Sequence, residues 1–234
     1  MENNAFKKYV VLGILFVFPI VIYLFFASGI NNFAKLPILT ENLPEISSWK
    51  TLRGDPIQFE DHITVIGFWG NDLESKKSDA FNLNQKIYKR FYEFKDFQFV
   101  VAVEDGYQDE IAKVISELEE GVGTDMIKWN FIFGSAEQIQ TLFLSLESDI
   151  NLSPKQSTST VFIVDREANL RGRDDDEDVG TLFGYDASSV ASLNNKMTDD
   201  VKVILAEYRL ALKKNNANRQ KSTRVILVCH ELSG

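Results

Sequence analysis

The stretch Ile63-Thr-Val-Ile-Gly-Phe-Trp69 decides the fold of this chain. It is a short run of apolar, β-branched and aromatic residues, which is typical of a strand buried on both faces of a sheet. A segment with aromatic and aliphatic residues at helical spacing follows from Glu74 to about Phe94, and a second strand-like run lies at Phe97–Val103. A strand, a helix and a strand in this order predict a parallel pair joined by a crossover helix.

The same alternation continues along the chain. Further helices are predicted from Tyr107 to about Glu120, from Ser135 to about Leu146 and from Thr198 to about Lys214, and further strands at Ile127–Phe133, Thr160–Asp165 and Leu170–Arg173. The order predicts an α/β domain with a mostly parallel sheet, an antiparallel edge hairpin and helices on both faces. No G-x-G-x-x-G follows the first strand, so dinucleotide binding is not predicted.

Composition limits the chemistry. The 234 residues include one cysteine, Cys229, and two histidines, His62 and His230. An intramolecular disulfide, a C-x-x-C redox pair and a multi-histidine metal centre are therefore excluded. The net charge of −9 argues against nucleic-acid binding, which requires a basic surface. The sequence predicts no cofactor.

The N-terminal region predicts a membrane anchor. Tyr9–Ala27 carries no charge over 19 residues, which as a helix would span roughly 28 Å, close to the thickness of a bilayer core. Lys7 and Lys8 precede it, so the positive-inside rule predicts a cytoplasmic N-terminus and an exported domain. A cleaved signal peptide, with Ala27-Ser28-Gly29 as the cleavage site, and a buried core helix are the alternatives.

The resulting division of the chain has five parts. We expect a cytoplasmic N-terminus at residues 1–8, a single transmembrane helix at 9–29, a proline-stiffened stalk at 30–49, a folded domain at 50–214 and a C-terminal tail at 215–234. The protein is thus expected in the inner (cytoplasmic) membrane, with its domain on the periplasmic or extracytoplasmic side.

Four features resemble the thioredoxin-like Sco/SenC family. They are the anchor, the strand Thr64–Trp69 leading into a helix, the stretch Ser159–Gly172 with its Asp165 and Arg171-Gly172, and the acidic start of the last helix at Thr198. The resemblance covers roughly residues 40–214. It implies a thioredoxin-like fold and relatives that deliver copper to cytochrome c oxidase or perform thiol redox chemistry.

The resemblance also implies a site that this chain lacks. The family carries a C-x-x-x-C motif after the first core strand and a histidine before the fourth. Here the cysteine positions hold Asn71 and Ser75, and the histidine position falls at Gln156–Ser157. Copper(I) prefers soft sulfur ligands. The chain is therefore interpreted as a degenerate member without a copper or redox site.

Three other groups of residues were candidates for function. Asn71, Asp72, Glu74 and Ser75 could form a polar pocket, although capping of the following helix is the favoured interpretation. The acidic run Asp174, Asp175, Asp176, Glu177 and Asp178 is interpreted as a solvated loop that could bind a basic partner. Cys229-His230 could contact a metal or form an intermolecular disulfide, whereas His62 is interpreted as a histidine at the edge of a strand.

These observations predict a non-enzymatic, membrane-tethered protein. It would bind a protein partner and, by family resemblance only, take part in assembling a respiratory complex such as cytochrome c oxidase. The alternatives are an active Sco-like copper-delivery or thiol-redox protein that uses other ligands, such as Cys229, and a relative of hydrolases or peroxidases.

Overall fold

The computed structural model describes residues 2–27, 35–123 and 125–212. The chain divides into two compact units, Met1–Ala34 and Lys35–Gly234. The first unit contains helix α1, Glu2–Ala27, which continues through Pro19. Among the described residues, no helix combines the length and the hydropathy needed to cross a membrane. Residues 28–34, and the predicted tail 215–234 with Cys229 and His230, lie outside the described part.

The second unit is an α/β domain. Its strands are β1 Ile38–Thr40, β2 Lys50–Thr51, β3 Ile63–Gly70, β4 Phe97–Glu104, β5 Trp129–Gly134, β6 Thr160–Val164, β7 Leu170–Arg171, β8 Arg173–Asp176, β9 Gly180–Leu182 and β10 Tyr185–Asp186. Its helices are α2 Leu73–Leu83, α3 Lys89–Phe91, α4 Gln108–Val122, α5 Ala136–Leu144, α6 Val190–Ser192 and α7, residues 198–212. π-Helical turns at Asn84–Tyr88 and Leu193–Met197 connect α2 to α3 and α6 to α7.

The centre of the sheet is parallel. β3 pairs with β4 and β4 with β5, so that Val65, Phe99 and Trp129 lie side by side across three strands. All eight residues of β3 are buried. A strand covered on both faces favours apolar residues on both of them, which is why the quoted run shows almost no alternation. The three strands predicted here are confirmed.

The other half of the sheet is antiparallel. β6 lies beside β3, and β7 follows β6, which gives the order β1-β7-β6-β3-β4-β5-β2. The turn between β6 and β7 is fixed by Asp165, whose carboxylate accepts the backbone N–H groups of Glu167 and Asn169. The thioredoxin-like α/β fold is as predicted, but the sheet is mixed and not mostly parallel, because two of its strand pairings are parallel and five are antiparallel among the described residues.

The stalk prediction is wrong for residues 35–49. β1 pairs with β7, and β2 pairs with β5. Leu43 and Ile46, which lie between β1 and β2 along the chain, are buried. The prolines that suggested a stalk suit this segment equally well, because a residue without an N–H is tolerated beside a sheet edge. These residues therefore belong to the folded domain and contribute two of its strands.

A buried ion cluster fastens the start of the domain. The Arg171 guanidinium donates to the Leu36 carbonyl and pairs with Asp165 at 3.0 Å and Glu207 at 2.8 Å. The second oxygen of Glu207 accepts the Leu36 N–H at 2.8 Å. Arg171 and Asp165 are nearly inaccessible to water, so loss of Arg171 would leave the buried Asp165 carboxylate without its cation, which typically costs about 3–5 kcal/mol.

Helices cover both faces of the sheet, as predicted. α2, α4 and α7 enclose a first core that includes Tyr88, Phe99 and Trp129. α5 and the segment 43–59 enclose a second core around Phe68 and Phe162. The predicted helix 74–94 is divided by a π-helical turn, and the predicted last helix is preceded by α6, which begins at Val190.

Candidate functional site

The two predicted site loops meet at Gly70. Gly70 has a φ of +50°, and a Cβ placed on it would lie 2.0 Å from the Lys155 carbonyl oxygen. Two backbone hydrogen bonds join the loops, from Asn71 N–H to the Lys155 carbonyl at 3.1 Å and from Thr158 N–H to the Phe68 carbonyl at 3.0 Å. The loop after β3 and the loop before β6, which hold the positions assigned by the resemblance, thus lie together.

Asp72 lies at the centre of this surface. Its carboxylate accepts the Ser75 hydroxyl at 2.7 Å and the Lys155 ammonium at 2.8 Å, and the Ser157 hydroxyl lies 3.5 Å away. The hydrogen bond from Lys155 is the main reason that the pKa of Asp72 is lowered from its ordinary value. Three of the residues singled out in the sequence, Asp72, Ser75 and Ser157, are therefore brought together.

The predicted capping role of Asp72 is only half correct. Asp72 occupies the N-cap position of α2, but its side chain accepts no backbone N–H from the first turn. Its two carboxylate oxygens bond to Ser75 and Lys155 instead. The competing side-chain donors explain the departure, because an ammonium forms a stronger hydrogen bond to a carboxylate than a neutral amide does.

The other two family positions are occupied in different ways. The Asn71 amide donates to the Glu104 carboxylate at the end of β4, at 2.6 Å. Gln156 has a φ of +56°, and its side-chain oxygen has no hydrogen-bond partner among the described residues. Its neighbour Ser157 is buried and bonds to Ser153 through their hydroxyl groups at 2.8 Å.

A buried ion pair beneath this surface was missed in the sequence. The Lys76 ammonium lies 3.3 Å from Asp79 and donates to the Ser159 hydroxyl at 2.8 Å. Both charged side chains are less than a tenth exposed. A readable signal existed, since Lys76 stands at helical spacing between the buried residues Leu73 and Ala80.

The groups on this surface are hydroxyls, amides, carboxylates and ammonium groups. Such groups suit hydrogen bonding, and they offer neither a thiolate nor an imidazole to a soft metal or a substrate. His62 precedes β3, so the eight-residue strand separates it from the site by roughly 25 Å. Its ring lies 2.9 Å from the Glu60 carbonyl, at the partly exposed strand edge that was predicted.

The acidic run differs from its prediction as a solvated loop. Residues 173–176 form β8, which pairs with β9, and Asp174, Asp175 and Glu177 lie exposed at this hairpin. Asp176 is buried and contacts Lys196 at 2.7 Å. The Lys196 ammonium also lies 2.6 Å from Asp178. A charge that is withdrawn from water needs a partner, and Lys196 supplies it.

The base of the hairpin is fixed by Asp200. Its carboxylate accepts the Arg173 guanidinium through both oxygens, at 2.8 and 3.0 Å, and the Tyr185 hydroxyl at 2.6 Å. Burial, followed by the neighbouring Asp200 charge, raises the pKa of Tyr185 well above its ordinary value. These contacts hold the hairpin against α7, so part of the predicted partner surface belongs to the structural framework.

Comparison with known proteins gives structural neighbours. No protein-family model and no curated protein matches the chain. Its neighbours among solved structures include BsSco, described as a member of the Sco family of cytochrome c oxidase assembly proteins (10% identity, 73% of this chain and 98% of that chain, TM-score 0.47). Another is the soluble domain of Sco1 from Bacillus subtilis (14%, 75% and 95%, TM-score 0.44).

A thiol:disulfide interchange protein of the thioredoxin family from Chlorobium tepidum TLS is similar to the same degree (16% identity, 74% of this chain and 99% of that chain, TM-score 0.45). The predicted resemblance is confirmed at this level, because Sco and thioredoxin-like proteins are among the structural neighbours. Identities and TM-scores this low carry no argument about activity.

Proposed function

We propose that this protein acts by binding a protein partner, without copper or thiol chemistry at the site where Sco proteins carry it. The observation that carries the proposal is the hydrogen bonding of the residues at the cysteine positions and between them. Asn71 bonds to Glu104, and Ser75 bonds to Asp72, which is itself paired with Lys155. These side chains are hydroxyl, amide, carboxylate and ammonium groups bonded to one another, and copper(I) prefers the soft thiolates that they lack.

The experiment is a titration of the full-length chain with copper(I) and copper(II), measured as bound metal per chain. We expect no stoichiometric tight binding. Cys229→Ala serves as the matched variant for the alternative in which other ligands are used. Tight binding by the wild type would refute the proposal, and its loss in Cys229→Ala would identify Cys229 as a ligand.

A designed variant supplies the positive control. Asn71→Cys, Ser75→Cys and Gln156→His together restore the family's ligand types at positions whose two loops are joined at Gly70. We expect this variant to bind one copper(I) ion, because thiolates and an imidazole are the ligands that copper(I) prefers. If the triple variant binds copper(I) and the wild type does not, these three side chains account for the difference in copper binding.

We also propose that α1 anchors the domain on the extracytoplasmic side of the inner membrane. The charge-free run Tyr9–Ala27 and the lysines before it support this orientation, and apolar side chains such as Leu15 and Phe16 are well exposed on the helix. Protease added to the outer face of spheroplasts should digest the domain. Digestion from the cytoplasmic side alone would overturn the topology.

The assembly role is proposed from the family resemblance only. Co-purification of the chemically cross-linked full-length chain from membranes should recover a stoichiometric partner. The resemblance predicts a subunit or assembly factor of a respiratory complex. Recovery of the bait alone would count against any partner-binding function.

A further inference from the structure

We propose that a groove beside Trp49 binds an arginine side chain of the protein partner. The inference rests on the proposed function and names the chemistry by which the partner would be recognised. The groove, here called the Trp49 groove, lies between residues 44–49 and α5 and has a volume of about 330 Å³. Pockets that enclose small groups in proteins commonly begin at about this volume.

The charge of the groove selects a cation. Glu45 and Glu137 both line it, and no lysine or arginine does. Within residues 35–123 and 125–212, the ion pairs of the domain use other carboxylates. The two carboxylates of the groove thus keep their charge available for a positively charged guest, and they repel an anionic one.

Glu45 is held in position before any guest arrives. Its two carboxylate oxygens accept the backbone N–H groups of Phe59 at 3.3 Å and Glu60 at 3.2 Å. Each carboxylate oxygen has two acceptor sites, so these bonds leave capacity for a further donor. A carboxylate fixed by the backbone loses less conformational entropy on binding than a freely rotating one.

Trp49 provides the aromatic wall. Its six-membered ring packs directly on Gly134, where a Cβ would lie 2.6 Å from ring atom Cζ3. Its backbone N–H donates to the Ile46 carbonyl at 3.0 Å, which fixes the turn. Trp69 and Trp129 are almost fully buried, whereas Trp49 is partly exposed. A cation over an indole ring gains a cation–π interaction.

Arginine fits this combination better than lysine. A guanidinium is planar and can stack on an indole while its N–H groups donate to carboxylates. At the N-terminus of α5, Ser135 and Gln138 form a capping box that already uses two of its N–H groups, and Glu137 adds a negative charge in the first turn. Pro44 and Leu142 supply apolar surface for the aliphatic part of the arginine side chain.

The test uses the full-length chain in detergent and the peptide acetyl-Ala-Ala-Arg-Ala-Ala-amide, with tryptophan fluorescence as the signal. We expect the emission of Trp49 to change saturably as the peptide is added. The affinity obtained from this change should fall as the salt concentration is raised. Glu45→Gln and Glu137→Gln should each weaken binding by about two- to fivefold, as expected for a partly exposed ion pair. Glu110→Gln on α4 removes the same charge at an exposed position outside the groove and should have no effect.

Three results would overturn the inference. They are equal affinity for the matched citrulline peptide, unchanged affinity in both groove variants, and displacement of the peptide by an equal concentration of phosphocholine, which would indicate a lipid headgroup. The proposed function is judged separately. If the Glu45→Gln, Glu137→Gln double variant still retains a co-purified partner, the role of the groove is refuted and the protein-binding function stands. If only the bait is recovered with the wild type, the protein-binding function itself is refuted.

Discussion

The hairpin cluster around Asp176 and the loop cluster around Asp72 both pair a carboxylate with a lysine from a distant segment. The Asp176 side chain is 2% exposed and has Arg173 as a second cation, whereas Asp72 is 21% exposed and its partner Lys155 is 62% exposed. Water screens the second pair and not the first. The same residue types therefore contribute strongly to the stability of the fold at the hairpin and weakly at the loop cluster.

Between the hairpin and the loop cluster, the largest expected effect is at Asp200, beneath the hairpin. Asp200→Ala should lower the free energy of unfolding by about 3 kcal/mol, because Arg173 loses a bidentate partner and the buried Tyr185 hydroxyl loses its acceptor. Urea unfolding followed by circular dichroism measures this. Asp199→Ala is the matched control, since Asp199 is 60% exposed and pairs with Lys202 at the surface. Equal losses in the two variants would contradict the role given to burial.

Within the hairpin, Asp176 and Asp178 share Lys196 and differ in exposure. Asp176→Ala should cost about 2 kcal/mol of unfolding free energy, because it leaves Lys196 with only the exposed Asp178 and removes one of the two carboxylates that Arg173 contacts. Asp178→Ala should cost less than about 1 kcal/mol, because its side chain is 74% exposed. The reverse order in denaturant unfolding would show that the hairpin is held mainly by the exposed pair.

Acid should weaken both clusters over the same range. The pKa values of Asp72 and Asp176 are lowered in the folded protein from 3.8, mainly by hydrogen bonds from Lys155 and Lys196. A carboxyl with a lowered folded pKa stabilises the fold fully above its unfolded pKa and loses that contribution as the pH falls through the folded value. Thermal unfolding between pH 5 and pH 2 should show this loss.

Asp72→Asn and Asp176→Asn should each make the melting temperature less dependent on pH below about pH 4, because an amide does not titrate there. If either variant shows the same pH dependence of the melting temperature as the wild type, the substituted carboxyl does not contribute to the loss of stability in acid.

The smallest expected effect is at the loop cluster. Lys155→Ala removes the exposed partner of Asp72 and should change the free energy of unfolding by less than about 1 kcal/mol. Lys76→Ala, one turn into α2, provides the contrast, because it strips Asp79 of its buried partner and should cost several times more. A large loss in Lys155→Ala would mean that the junction of the two loops depends on this ion pair and not on its backbone hydrogen bonds.

The central strands could be predicted from the sequence, and the edge strands could not. β3 and β4 consist of continuous apolar runs whose burial on both faces leaves a local pattern. β1 and β2 contain three and two residues, and each exists only because β7 or β5 lies beside it. Long-range pairing of this kind leaves no periodicity in the segment itself, so residues 35–49 were predicted as a stalk.

The sequence selected two loops that do lie together, and it did not predict the contacts that join them. The positions of Asn71, Ser75 and Ser157 followed from aligning the strands with a thioredoxin-like pattern, and the two loops do meet. The roles of Lys155 and Glu104 did not follow, because each belongs to another segment and contacts the site only through the folded chain. The burial of Asp176 could not be predicted from the acidic run either, because it depends on the ion pairs with Lys196 and Arg173.

The clamp on Leu36 has a mechanical consequence. Both the N–H and the carbonyl of Leu36 are bonded to side chains, those of Glu207 and Arg171, and β1 follows directly. A force applied between the N-terminal segment and the domain would therefore load these bonds first, and the β1–β7 pair next. The charged cluster would thus bear the applied force before it reaches the parallel strands β3, β4 and β5.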